Sequence, residues 1–189
     1  MSQLTKKALA QSLKELCAEK PLNKITVGEL CERTGIRRQT FYYHFDDIAD
    51  LVQWICQSEA DVALKQNRDY TTWEEGFLDI FLLAKKEKSF VMNIYHSVSK
   101  DTLMRYLYHL TLPLLNHVVN EVATSLRIQD IAQIDKDFIA NFYTVSFVDI
   151  MVGWVDRGMK EDPQMIIDHL SPLIKGTIPN ALNAYSGRK

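Results

Sequence analysis

The chain is poor in residues that break helices. Seven glycines and five prolines among 189 residues, set against abundant Leu, Ala, Lys, Glu and Gln, are too few for a turn-rich sandwich or barrel. No run of alternating β-branched residues bounded by turn pairs competes, so the expected fold is all-α. Cysteine is scarce too. Cys17, Cys31 and Cys56 are odd in number, widely spaced and set among apolar neighbours, which excludes a disulfide framework and fits buried free thiols in a reducing cytoplasm, with a redox sensor as the alternative. The opening residues Met-Ser-Gln-Leu-Thr-Lys-Lys hold no apolar signal core. The longest apolar run, Val145 to Val155, is broken by Asp149 and too short to span a bilayer. The expectation is a cytoplasmic protein with no membrane partner.

Charge is nearly balanced overall, but not along the chain. The net charge of -2 conceals eight basic and four acidic residues within positions 1–45, a net of +4, which leaves about -6 on the remainder. A basic end of this kind can steer an anionic partner while the acidic part keeps clear of it.

That basic end contains the most informative segment, Thr26 to Phe45. Thr26 and Glu29 form the capping-box pattern that satisfies two orphan amides at a helix start. Leu30 and Cys31 give the short helix an inward face, and Gly35 ends it where a left-handed residue is favoured. A second helix follows the apolar anchor Ile36, with Phe41 and Phe45 pointing inward. Around them stand Arg37, Arg38, Gln39, Thr40, Tyr42, Tyr43 and His44, with no acid between Ile36 and Phe45. Two short helices joined by a glycine turn make a helix-turn-helix. Arg and Gln forks read base edges in the major groove, Thr offers a methyl and a hydroxyl, and Tyr or His reaches phosphates. The plain alternative is a basic surface helix, and the capping box and turn argue against it. The sequence therefore points to double-stranded DNA as a partner, with the second helix in the groove.

Periodicity places the other elements. A first helix is predicted over about 6–19, with Thr5 as cap and Leu9, Leu13, Leu16 and Cys17 on one face, stopped by Pro21. Leu22, Ile25, Val27, Leu30, Ile36, Phe41 and Phe45 are expected to complete a three-helix core. A connector helix capped by Asp46 and Asp47 runs to about Arg68. Further helices are predicted from a second capping box at Thr72, over 90–97, over 101–126 with a kink or break near 110–112 caused by Pro113, and over 130–157. Asp162-Pro163 starts the last segment, in which Ser171-Pro172 and Pro179 leave open one bent helix or two pieces. About nine helices result: an N-terminal three-helix DNA-binding domain, residues 1–47, and a larger helical effector and dimerisation domain, residues 48–189.

The tail offers a self-interface. Phe138, Phe142, Val145 and Val152, with Ile166, Leu170, Leu173, Ile174, Ile178 and Leu182, can form a four-helix bundle across a two-fold axis, although they could equally cover the chain's own core. A homodimer doubles the base contacts that one short helix makes. Phe81, Tyr95, Tyr106, His109, Tyr143 and Trp154 are the expected lining of a small-molecule effector pocket, against the ordinary reading of aromatics at helical spacing as core. No cofactor, metal or catalytic residue is expected. Ser97 to Lys100 matches the Ser-x-x-Lys pattern of serine acylases by two fixed positions, without its companion motifs. His96, His109 and His117 lack the i, i+4 pairing of a helical zinc site.

The segment Thr26 to Phe45, with the helix before it and the connector after it, resembles the TetR family of bacterial transcription regulators. The likeness covers residues 5–60 by motif and the rest by helix number and order. It implies that the first three helices bind DNA and that a variable helical domain binds an effector and dimerises. By position, Thr26 resembles the phosphate contact at the start of the first motif helix, Arg38, Gln39 and Thr40 the base-reading positions, and Tyr42, Tyr43 and His44 the residues gripping the backbone. Two positions depart from the family pattern. Arg37 replaces a small capping residue, at an expected cost of about 1 kcal/mol, and is expected to serve as an extra DNA contact. Ile48, behind Asp46 and Asp47, replaces a phosphate-binding lysine. The stretch Thr40 to Ile55 is similar to the branch containing regulators of dihydroxyacetone kinase operons. That resemblance implies transcriptional activation through a kinase-like co-activator protein. The alternatives are a small-molecule-responsive repressor and an all-helical module whose basic helix contacts protein or RNA.

Overall fold

The computed structural model describes residues 2–64, 70–128 and 130–187. Among them are nine α-helices: α1 (Ser2–Glu19), α2 (Val27–Thr34), α3 (Arg38–His44), α4 (Ile48–Ala63), α5 (Trp73–Lys86), α6 (Lys88–Ser97), α7 (Lys100–Ser125), α8 (Gln133–Asp156) and α9 (Pro163–Tyr185), with a single 3-10 turn at Leu22–Lys24. Helix α1 starts upstream of the expected Thr5 cap. Helix α7 continues through Pro113 and α9 through Pro172 and Pro179. One missing donor in a long packed helix does not end it, since the neighbouring hydrogen bonds and the buried face remain. The predicted end of the connector at Arg68 lies outside the described residues.

Two compact units divide the chain: Met1–Asp61 with Glu87–Ser99, and Val62–Lys86 with Lys100–Lys189. The first unit thus comprises the expected 1–47 head, nearly all of α4, and α6. Leu9, Leu13, Leu30, Phe41 and Leu51 are fully buried at its centre, joined by Phe45, Ile55, Phe90 and Ile94. Val27 and Ile36 are only half-buried. Aromatic edges extend this core, with ring centroids 5.9 Å apart for Phe41–Phe45 and for Phe45–Trp54, and the Lys6 ammonium stands over both Phe45 and Trp54. Polar side chains then join α6 to α1. Asn93 bonds the backbone at the end of α1, and Lys14 pairs with Glu59 and Glu87 above the Phe90 ring. Burial by itself would lower the Lys14 ammonium, but the two carboxylates outweigh it and raise its pKa.

The second unit is α5, α7, α8 and α9. Phe77 stacks on Phe147 with centroids 4.3 Å apart, and Phe81 meets Trp154 edge-on at 5.0 Å. The Trp154 indole donates to the Glu161 carbonyl at 3.1 Å, fixing the turn that leads into α9. Asp162 caps that helix through the Gln164 amide, with Pro163 at its first position, as the sequence signal indicates. Lys175 of α9 reaches Glu74 of α5 at 2.8 Å, and that hydrogen bond holds the Glu74 carboxyl below its usual range. The apolar run seen in sequence as too short for a membrane lies in a longer helix. At 24 residues, α8 passes by length and composition as a bilayer span, yet half of its most apolar window is buried inside the protein, as in a core helix. It is apolar on both faces, because Ile139, Tyr143, Phe147 and Val148 fill the core while Ile134, Phe138, Phe142 and Val145 stand in solvent.

Candidate nucleic-acid interface

The motif is built from local signals upward. The Glu29 amide donates to Thr26 Oγ1 at 3.3 Å and the Thr26 amide to Glu29 Oε2 at 2.9 Å, a complete capping box. At the other end of α2, Gly35 takes φ 68°, and the Ile36 amide reaches back to the Cys31 carbonyl at 3.1 Å. This turn sets the entry of α3. Arg37 stands at its N-cap with extended backbone and without a side-chain cap bond. The orphan amides at this end are therefore left unpaired by the side chain that precedes them.

Helix α3 is two-sided. Phe41 is fully buried, whereas Arg37, Arg38 and Gln39 are exposed, Tyr42 is 57% exposed and Tyr43 82%. Thr40 and His44 are half-buried, and Thr26 is exposed at the start of α2. Two adjacent tyrosine rings thus offer both apolar faces and hydroxyls to whatever approaches α3. Several of the acids nearby are already engaged. Glu29 bonds Lys20 and the Thr26 amide and hydroxyl, in that order of effect, which pulls its carboxyl down to about 2. Glu19 and Glu15 hold Arg33 at 2.8 and 3.3 Å. Asp47 accepts from the Asp50 amide at 2.8 Å, and the Asp50 carboxylate accepts from the Asp46 amide at 3.1 Å. These carboxylates cap helices and neutralise bases beside the motif. The face of α3 is left with donors, hydroxyls and rings, the set that phosphates and base edges accept.

One residue that sequence reading passes over belongs to this face. A Cβ at Gly28 would stand 2.6 Å from Arg38 Nη2, so the arginine lies against bare backbone of α2. Only the absence of a side chain at an ordinary helical position signals it.

The expected effector residues are divided between the two units. Phe81 and Trp154 are core partners of each other, and Tyr143 is buried with its hydroxyl bonded to Thr177. Tyr106 is half-buried on α7, and Tyr95 lies on α6 in the other unit. His109 lines an open cavity of about 350 Å³ whose other walls include Arg105, Tyr108 and Val145. Arg105 and His109 are one turn apart on α7, a spacing visible in the sequence. His117 stands 3.7 Å from Glu121, also one turn away, and Ser97 of the acylase-like pattern donates to Asn93. The expected dimer residues divide as well. Phe138, Phe142, Val145 and Leu173 are exposed and Ile166 is half-buried, while Val152, Leu170, Ile174, Ile178 and Leu182 are interior to their own unit.

Comparison with known proteins agrees with this geometry. Residues 11–55 match the family described as bacterial regulatory proteins, tetR family, and residues 71–176 match a transcriptional regulator C-terminal region of the same family. The HTH-type dhaKLM operon transcriptional activator DhaS of Lactococcus lactis subsp. lactis (strain IL1403) is 28% identical over 92 residues, 49% of each chain, so the match spans about half the length of that relative. Among solved structures, a dihydroxyacetone kinase operon activator DhaS superposes with a TM-score of 0.71 at 20% identity, covering 97% of this chain and 98% of that one. A TetR transcriptional regulator from Streptococcus agalactiae 2603V gives 0.55 at 23% identity, over 94% of each. At these identities the structures establish the fold, while the matched families are transcription regulators and not enzymes. The chain belongs to the TetR family of bacterial transcription regulators.

Proposed function

We propose that this regulator is a cytoplasmic homodimer that binds a palindromic operator through α3 and activates a dihydroxyacetone kinase operon, its signal delivered by a kinase-like co-activator protein. The observation that carries the DNA-reading part is the exposed, acid-free face of α3. Arg38, Gln39 and Thr40 are assigned to base edges and Tyr42, Tyr43 and His44 to the sugar-phosphate backbone, with Thr26 and Arg37 adding contacts from the two helix starts. The activator assignment rests on the function of the two DhaS proteins above, one matched over half its length and the other too distant to show more than the fold. The dimer rests on the solvent-facing stripe of α8, where Phe138 and Phe142 are 59% and 60% exposed. Apolar faces of that kind mark contact surfaces, and a two-fold pairing covers both copies at once.

Selection of a duplex from a random pool, followed by sedimentation of the complex, tests the binding mode; a symmetric site holding two chains is the expected result, and an asymmetric site holding one would reject it. A transcription reporter, read with and without a dihydroxyacetone kinase subunit, tests the activator assignment.

The cavity beside Arg105 and His109 favours one other reading, a small anionic effector acting on a repressor. A thermal-shift panel of metabolites separates the two: stabilisation by one compound supports the small effector, and a flat panel favours the protein one.

A further inference from the structure

Gly28 sits inside the Thr26–Glu29 capping box, at a helix position where glycine is among the poorest choices. Its backbone does not call for it. Gly35, at φ 68°, needs freedom from a side chain, whereas Gly28, the second residue of α2, has no positive φ. Space explains it instead. A Cβ at residue 28 would lie 2.6 Å from Arg38 Nη2, 3.5 Å from Arg38 Cζ and 3.6 Å from Thr26 Oγ1. The guanidinium of α3 thus rests on α2, and both it and the Thr26 hydroxyl border the space that a Cβ at residue 28 would fill. Its charge is also felt at Cys31, where burial pushes the thiol up and Arg38 pulls it the other way.

We infer that Gly28 is a positioning residue for Arg38: the missing side chain opens a seat on α2 where the guanidinium is held beside Thr26, so that both helices of the motif present one joint set of donors to the duplex. The inference rests on the DNA-binding reading above and adds to it how Arg38 acts. An arginine already held near its working place loses less rotamer freedom on binding than a free one. Any side chain at residue 28 overlaps the guanidinium and evicts it, because Arg38 is the flexible partner of the contact. Helix α2 itself gains from the change, so a loss of binding would not be a loss of fold.

The test uses Gly28→Ala, Arg38→Ala and the double variant in the full chain. Fluorescence anisotropy measures binding to the tightest selected duplex and to its scrambled version, and nitrogen–proton spectra follow the Arg38 side-chain Nε–Hε resonance in the free protein. Gly28→Ala is expected to move that resonance, to hold or raise the thermal midpoint, and to weaken the selected duplex roughly tenfold, the scale of one lost charged contact. Added to Arg38→Ala, it is expected to cost nothing further. An unmoved resonance overturns the seat. Equal weakening by Gly28→Ala with and without Arg38 overturns its use, since the glycine would then act alone. A wild-type protein that binds no duplex removes the DNA-binding reading and the use of the seat with it, while the resonance still decides whether the seat exists.

Discussion

Asn93 Nδ2 donates to the Lys20 carbonyl at 2.8 Å, so a residue 73 positions downstream closes the end of α1. The same amide donates to the Cys17 carbonyl at 2.7 Å, and Asn93 Oδ1 accepts from the Leu22 amide at 2.7 Å. The two carbonyls are groups that a helix ending before Pro21 leaves without partners, and the amide is the first of the 3-10 turn that follows. Asn93→Ala is expected to cost about 1–3 kcal/mol, since it strands half-buried groups rather than removing them. Asn93→Asp keeps the acceptor for Leu22 but points a carboxylate at two carbonyls, and is expected to be at least as harmful at neutral pH. Chemical denaturation of the three proteins checks both; wild-type stability in Asn93→Ala would mean that water replaces the side chain without loss.

Glu29 gives the helix-turn-helix a dependence on pH. Its carboxyl sits at about 2 in the folded protein against an ordinary 4.5, chiefly through the Lys20 hydrogen bond and then the Thr26 amide and hydroxyl. A depressed carboxylate contributes stability that is complete above its unfolded value and disappears as pH falls through the folded one. The loss is therefore expected between about pH 4.5 and 2, not near neutrality. Glu29→Gln retains much of the capping box but cannot titrate. Thermal midpoints from pH 7 to pH 2 should fall less steeply below pH 4.5 in Glu29→Gln than in the wild type, and parallel curves would show that other carboxylates govern the acid limb.

Local chemistry made the motif legible. Thr26, Glu29 and Gly35 act within one helical turn of themselves, and Asp162-Pro163 does the same at the start of α9, so their spacing alone carried the structure. The prolines misled because their effect depends on what surrounds them: a long helix packed along its length tolerates the donor lost at Pro113, Pro172 or Pro179. Asn93 was invisible because the backbone groups it bonds are more than seventy residues away. Periodicity also could not divide the tail. Phe142 and Val152 lie on the same apolar helix, yet one is exposed and the other is core, because α8 has two apolar faces and only the positions of α5, α7 and α9 decide which is covered.

The contact proposed for Arg37 would come at the expense of helix stability. The residue occupies the N-cap of α3 with extended backbone and no side-chain cap, where Ser or Thr would accept an amide hydrogen bond. Arg37→Thr is expected to stabilise the protein by about 1 kcal/mol while weakening specific and scrambled duplexes alike and lowering the salt slope by about one. Denaturation and salt-titrated binding read the two effects separately. A stabilised protein with unchanged binding would make Arg37 a plain departure from good capping, and a destabilised one would show that its side chain supports the fold.

The stripe on α8 makes the dimer testable without disturbing the monomer. Phe142 is 60% exposed, so Phe142→Glu buries no charge in its own unit, whereas a second copy pressed against it would have to bury an unpaired carboxylate at a cost of several kcal/mol. Sedimentation at micromolar concentration should give a dimer for the wild type and a folded monomer for Phe142→Glu. Val152→Glu is the contrasting variant, because Val152 is only 1% exposed, and it should unfold the second unit whether or not a dimer exists. The wild-type thermal midpoint should rise with protein concentration, while that of Phe142→Glu should not. The variant should also bind a palindromic duplex much more weakly, since each half-site then engages alone. A Phe142→Glu protein that remains dimeric would move the interface off this stripe, leaving Met165 and Leu173 of α9 as exposed apolar positions to change next.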